Sequence, residues 1–273
     1  MTEHASTTRT DAERGQVNTA AAEIYDAFFV PALFGQFPVP ILDHARVGVG
    51  ERVLDVGCGT GIVARAARRR VGTNGRVAAV DPNEGMLAVA RCSGQSIDWR
   101  SGTAEALPFS DRMFDHAISQ FAAMFFTDRT VALTEMARVT VGGGTVTIAT
   151  WSGLDRTPGY AAMVAVISDE LGDEAAGALR APFVLGDVEE VREMVAQIGS
   201  GVRVDEIDGT ATFASIADWV HTDVRGWTLA DLVDDEGEAK LVARAERELA
   251  PFVSADGSVA FPAPAVVATA VIG

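Results

Sequence analysis

Val53-Leu54-Asp55-Val56-Gly57-Cys58-Gly59-Thr60-Gly61 is an apolar strand that runs into three glycines at alternate positions, with a helical pattern directly behind it. Glycines are needed where a strand turns sharply into a helix and a ligand must touch the backbone. The spacing is G-x-G-x-G, not the G-x-G-x-x-G of a pyrophosphate loop. Asp55 sits inside the turn, where it would repel a phosphate and suit a ligand bearing an ammonium group. A tight strand–helix turn with no ligand is the plainer alternative. Asp81 ends the next apolar run, 20 residues after Gly61. In a doubly wound sheet that position faces the ribose of a nucleoside. Its plain alternative is a helix N-cap within Asp81-Pro82-Asn83-Glu84.

Outward from this unit, short apolar runs alternate with amphipathic segments from residue 52 to about 150, the pattern of a parallel sheet covered by helices. Strands are expected at Arg52–Val56, Arg76–Asp81, Ile97–Ser101, Phe114–Ser119 and Gly144–Trp151. Helices are expected at Gly61–Arg70, Gly85–Cys92 and Thr130–Val139. Residues 17–152 then form the core with its N-terminal helices, behind a polar, flexible tail over 1–16. After Trp151 the rhythm changes. Residues 153–186 read as a helical cap segment. Residues 187–213 return to the core with a helix capped by Asp187 and an alternating strand over Val202–Phe213. A second helical cap segment covers 214–256, and a closing strand lies within 257–273, where Pro262 and Pro264 argue for a sheet edge.

Composition narrows the functions. Lys+Arg 22 against Asp+Glu 38 gives a net charge of −16, the wrong sign for displacing counterions from phosphates or for holding anionic membranes. No nucleic-acid partner is expected, and no membrane partner, since no apolar run is long enough to span a bilayer. Two cysteines, Cys58 and Cys92, are too few for a disulfide framework and fit a reducing cytoplasm.

The ordered motifs resemble those of the class I S-adenosylmethionine-dependent methyltransferases, closest to the branch with the ubiquinone/menaquinone C-methyltransferases. The resemblance rests on Val53–Gly61, Val80-Asp81-Pro82 with Met86-Leu87, and Gly102-Thr103-Ala104-Glu105-Ala106-Leu107-Pro108-Phe109. It continues through Phe114-Asp115, Ser119-Gln120-Phe121, Met124-Phe125-Phe126, Glu135–Val139 and Val141-Gly142-Gly143-Gly144. It implies a Rossmann-like methyltransferase fold, an α/β doubly wound, mostly parallel sheet of seven strands with the last antiparallel, under a helical cap. It also implies S-adenosylmethionine as cofactor. Asp55 and the backbone of Gly57, Gly59 and Gly61 would hold the methionine end, and Asp81 the ribose. Pro82 and Met86 would pack on the adenine, and Thr103 and Ala104 would touch its edge; the family more often carries Asp at position 103. Gln120 would line the methionine end, with Tyr25 over the carboxylate.

The methyl acceptor is expected to be a small, partly aromatic or apolar metabolite among Phe121, Phe125, Trp151, Phe183, Trp219 and Trp227. Each could equally be core, since large aromatics are usually buried for packing. His221, beside Trp219 and Trp227, is the candidate general base. His116 in the fourth strand reads as a hydrogen-bonded core histidine, and His44 as a helix-end residue. There is no Asn/Asp-Pro-Pro-aromatic motif after the fourth strand, no Pro-Cys pair and no zinc spacing, so O- or C-methylation without a metal is expected. Two rivals stay open at this point: a non-catalytic S-adenosylmethionine-binding protein and a nucleotide-dependent oxidoreductase.

Overall fold

The computed structural model describes residues 19–94, 96–226, 229 and 233–273; the tail expected over 1–16 and Trp227 lie outside the described residues. The chain enters through α1 (Thr19–Ile24), a π-helical stretch Tyr25–Phe34 and α2 (Pro38–His44). Then follow β1 (Arg52–Val56), α3 (Ile62–Val71), β2 (Arg76–Asp81), α4 (Glu84–Arg91), β3 (Asp98–Ser101), β4 (Phe114–Gln120), α5 (Arg129–Val139) and β5 (Thr140–Trp151). The second half runs α6 (Pro158–Leu171), α7 (Asp173–Arg180), α8 (Val188–Ala196), β6 (Ser200–Ile207), β7 (Thr210–Phe213), α9 (Ile216–Arg225), α10 (Asp235–Glu248), β8 (Val259–Pro262) and β9 (Ala265–Val271).

Seven strands form one sheet in the order β3-β2-β1-β4-β5-β9-β6. β9 alone runs antiparallel to its neighbours β5 and β6. The inner strands are apolar on both faces, with Val53, Leu54, Val56, Ala117, Ile118 and Ile148 fully enclosed, as flanking helices on a parallel sheet require. Strand order reverses across β1 and β4, so their carboxyl ends open the crevice where ligands of such sheets bind. Asp187 caps its helix as expected, accepting from both Glu189 and Glu190 N–H, and two further helix starts are capped by Asn83, which accepts from Met86 N–H, and Asp128, which accepts from Val131 N–H.

Two expected strands divide. The alternation over Val202–Phe213 breaks at Asp208-Gly209 into β6, in the main sheet, and β7, in a separate two-stranded ribbon with β8. Gly209 is required there, because a Cβ would lie 2.4 Å from both the Ala263 carbonyl oxygen and the Phe37 ring. The closing strand likewise divides at Ala263-Pro264. Its Pro262-bearing half joins the ribbon, while β9 is an interior strand with ladder bonds on both sides, so the edge position expected from the prolines applies only to the ribbon. Helices α6, α7, α9 and α10 pack on one another and on the ribbon as a second layer. Among the described residues no single helix is long and apolar enough to cross a membrane.

Candidate active site

A cavity of about 430 Å³ opens at the carboxyl ends of β1, β2 and β4. Its lining takes Asp55, Gly57, Gly59, Asp81, Pro82, Met86, Thr103, Ala104 and Gln120 from the core, and Tyr25 from the π-helical stretch. Phe121 and Phe125 complete the end nearest β4.

The loop after β1 uses its own donors. Gly57 and Cys58 N–H both go to the Val80 carbonyl, Gly61 N–H goes to Cys58, and Gly59 N–H donates to Asp81 Oδ2 at 2.8 Å. Asp81 Oδ1 accepts from Asn83 N–H, also at 2.8 Å. A pyrophosphate relies on free backbone N–H groups, and these four are committed. Among the described residues the lining carries three carboxyl groups (Asp55, Asp81, Glu105) and no Lys, Arg or His. Such a cavity favours a cationic ligand and repels phosphate. That removes the physical basis for a dinucleotide-dependent oxidoreductase.

Burial pushes the Asp81 carboxyl up to about 6, moderated by the two N–H bonds. Burial raises Asp55 to about 7, against the bond its Oδ2 accepts from Ala64 N–H at 2.8 Å. Asp55 thus serves the open first turn of α3 while it faces the cavity. Asp81 does not cap α4; Asn83 does, which leaves the remaining lone pairs of both Asp81 oxygens for ribose hydroxyls. Gln120 Oε1 is buried with no hydrogen-bond partner, as is Thr60 Oγ1. A buried acceptor left open costs free energy unless a ligand meets it. At Gly59 (φ +52°) a Cβ would meet nothing within 4 Å, so this glycine leaves the cavity clear. The set of open acceptors and the room both fit the nucleoside and amino-acid ends of S-adenosylmethionine.

Gly61 plays another part. It does not line the cavity, and a Cβ there would lie 2.3 Å from the Trp99 ring, at φ +88°. The third glycine therefore packs α3 against β3, outside the described lining of the cavity.

Beyond Phe121 and Phe125 lies a second, aromatic cavity of about 50 Å³, lined by Tyr25, Phe29, Phe34, Trp151, Tyr160, Phe183 and Asp223, among others. Phe121, held at φ +54°, stacks flat on Trp151 with ring centroids 3.8 Å apart and planes 5° apart. Trp151 and Phe183 thus line this second space. Trp219 does not: it is fully buried against Phe213, Tyr160 and Phe261 and lines neither cavity. Its expected acceptor contact is corrected to core packing. Trp227 lies outside the described residues.

The candidate base is corrected too. His221 points to the outer side of α9, half exposed, with Nδ1 2.8 Å from Glu238 Oε1 and its ring edge-on to Phe28. It lines neither cavity, because residues two apart on a helix face nearly opposite ways and Trp219 takes the inner face. His116 bridges Glu51 and Thr145, and His44 bridges Thr269 and Asp205. Among the described residues no group of three or more His, Cys, Asp and Glu is placed to hold a metal ion.

Sequence reasoning missed Asn83, Thr60 and Glu105 in the first cavity and Asp223 in the second. For Asp223 a signal existed. Ile216, Trp219, Val220 and Val224 make the apolar stripe of α9, and the charged residue at 223 falls on it.

A methyltransferase-domain family matches residues 54–148. A malonyl-[acyl-carrier protein] O-methyltransferase of Erwinia pyrifoliae is 42% identical over 110 residues, covering 40% of this chain and 41% of that protein. A ubiquinone/menaquinone biosynthesis C-methyltransferase of Xanthomonas oryzae is 43% identical over 108 residues, covering 37% and 42%. The chain therefore spans less than half the length of these two relatives. In fold, it resembles the Haemonchus contortus phosphoethanolamine N-methyltransferase 2 solved with phosphomonomethylethanolamine and S-adenosylhomocysteine. That likeness has a TM-score of 0.59 at 18% identity, covering 95% of this chain and 58% of that one. Over residues 54–148 the chain carries a class I S-adenosylmethionine-dependent methyltransferase domain, near the ubiquinone/menaquinone C-methyltransferase branch.

Proposed function

We propose that the chain transfers a methyl group from S-adenosylmethionine to a small, partly aromatic or apolar acceptor, by O- or C-methylation and without a metal. The observation that carries this reading is the junction of the two cavities. An acidic, cation-suited space meets an aromatic one across Tyr25, Phe121 and Phe125, so donor and acceptor meet end to end. The bound sulfonium supplies an activated methyl, and the protein's task is alignment.

Asp81 takes the ribose hydroxyls, and the open Gln120 Oε1 takes the ammonium of the methionine end. Pro82 and Met86 line the adenine end, with Thr103 and Ala104 at its edge. Phe121, fixed by its stack on Trp151, sets the acceptor against the methyl carbon. Such alignment alone is worth up to about 7–11 kcal/mol of barrier. A base is needed only where the acceptor must lose a proton in the transition state. The helices within 153–186 and 214–256 act as a cap that keeps water from the junction. With a charge of −16, neither nucleic acid nor an anionic membrane is the partner.

The test is transfer of labelled methyl from S-adenosylmethionine to a panel of phenols, quinols, carboxylates and amines, with Asp81→Ala as control. Label in one phenol, quinol or carboxylate class, lost in the variant, supports the reading. Cofactor binding with no transfer to any class favours a non-catalytic binding protein.

A further inference from the structure

The second cavity is walled by aromatic rings together with Leu33, Leu179 and Pro182, and its described lining carries one carboxyl group. Asp223, on the inner face of α9, is 1% exposed and lines that cavity. Its Oδ1 accepts from the Tyr160 hydroxyl at 3.3 Å, while its Oδ2 and the Trp219 indole N–H, which acts on the same carboxyl from one turn earlier in α9, are both left without a close hydrogen-bond partner. We propose that Asp223 is the polar anchor of the acceptor site, its open Oδ2 making the hydrogen bond to an uncharged hydroxyl or carbonyl head on an otherwise apolar acceptor.

The proposal rests on the methyltransferase reading, and three observations give it its content. First, a buried carboxyl with one open oxygen in an aromatic wall is costly to keep unless something meets it. A residue such as Leu there would carry no such cost, so the open oxygen points to a ligand. Secondly, the free space beside it, about 50 Å³, admits a small head and no more. The bulk of the acceptor must then lie toward Phe121 and Phe125, which both cavities share. That places the head at Asp223 and the reacting atom at the junction, so Asp223 sets specificity and takes no part in the methyl transfer itself. Thirdly, burial holds the Asp223 carboxyl well above the usual range, with Tyr160 and the Trp219 indole only tempering the shift. A neutral carboxyl there offers a proton to a carbonyl and both roles to a hydroxyl. Against a carboxylate head, the ionised form would repel and the neutral form could not neutralise the buried charge.

The experiment uses the full chain saturated with S-adenosylhomocysteine and three probes of one skeleton: benzyl alcohol, benzylamine and ethylbenzene. Binding is followed by the amide resonances of Phe121 and Phe125. Ethylbenzene gains more from leaving water, so the ratio of the two affinities is compared between wild type and variant. The expected result is a fall of about tenfold in the benzyl alcohol to ethylbenzene ratio in Asp223→Leu, the loss of one hydrogen bond. An unchanged ratio overturns the anchor, and benzylamine binding tighter than benzyl alcohol to the wild type overturns the uncharged head. If Asp223→Leu does not fold, the wild-type Asp223 carboxyl carbon resonance is read instead. It moves on adding benzyl alcohol and not ethylbenzene; a resonance that ignores both probes also overturns the proposal. Failure of S-adenosylhomocysteine to bind the wild type would sink the methyltransferase reading alone, and the probe titration would then be judged on the free protein.

Discussion

Cofactor affinity should depend on pH through Asp81. Its carboxyl is raised to about 6 by burial, and its two oxygens already serve Gly59 and Asn83 N–H. Ribose hydroxyls add as donors, and a cationic methionine end favours the ionised form. At pH 5 about nine-tenths of the free protein holds that proton, and at pH 7 about one-tenth, so binding that needs the carboxylate weakens about tenfold from pH 7 to pH 5. Binding should release about 0.9 proton at pH 5 and about 0.1 at pH 7 from this group. Calorimetry with S-adenosylhomocysteine in two buffers of different ionisation enthalpy reads both quantities. Asp81→Asn should weaken binding about 10- to 150-fold at pH 7, one or more charged hydrogen bonds, and should flatten the pH slope by Asp81's tenfold share. Asp55, raised to about 7 by burial and in part by the charge of Asp81, adds a share of its own that shrinks in Asp81→Asn, so both changes flatten the slope. An Asp81→Asn slope equal to that of the wild type would refute the reasoning.

Other outcomes follow from the same geometry. Asp55 has a folded pKa of about 7 against 3.8, so its contribution favours the fold below pH 3.8. That contribution is lost as pH rises towards and through 7, by about 4 kcal/mol in all. Asp55→Asn keeps an oxygen for Ala64 N–H, and its Tm relative to wild type, without ligand, should therefore climb between pH 4 and pH 8. A constant difference would contradict the assignment. Gly61→Ala drives a methyl to 2.3 Å from Trp99 at φ +88° and should cost about 2–4 kcal/mol in denaturant unfolding. Gly59→Ala, facing open space, should cost less stability than Gly61→Ala and lower S-adenosylhomocysteine affinity more. His221→Ala should leave methyl transfer nearly unchanged; a loss of about a hundredfold or more, the range of a general base, would restore it as a catalytic group.

The strand–glycine–helix unit was legible because its determinants are local. Three glycines, an acidic residue at the end of the next strand and short apolar runs need no distant partner to be recognised. Every strand of the β1–β5 series falls within a few residues of its expected place. The second half was read less well, for physical reasons. β7 follows directly on β6 and β8 leads directly into β9, as runs of strand type, and only long-range pairing separates ribbon from sheet; Asp208-Gly209 and Ala263-Pro264 mark the breaks in hindsight. Trp219 and His221 looked alike as site residues because they are close in sequence. The helical period parts them, sending Trp219 into the core and His221 to solvent. Gly61 belongs to the motif by spacing, yet its job depends on Trp99, which lies 38 positions away and gives no local sign.

The central claim is that the first cavity is an S-adenosylmethionine site, and calorimetric titration of the intact chain with S-adenosylhomocysteine and, separately, with NAD tests it most directly. The account predicts saturable one-to-one binding of S-adenosylhomocysteine, lost in Asp81→Ala, and no measurable heat with NAD. Tight NAD binding without S-adenosylhomocysteine binding would contradict it.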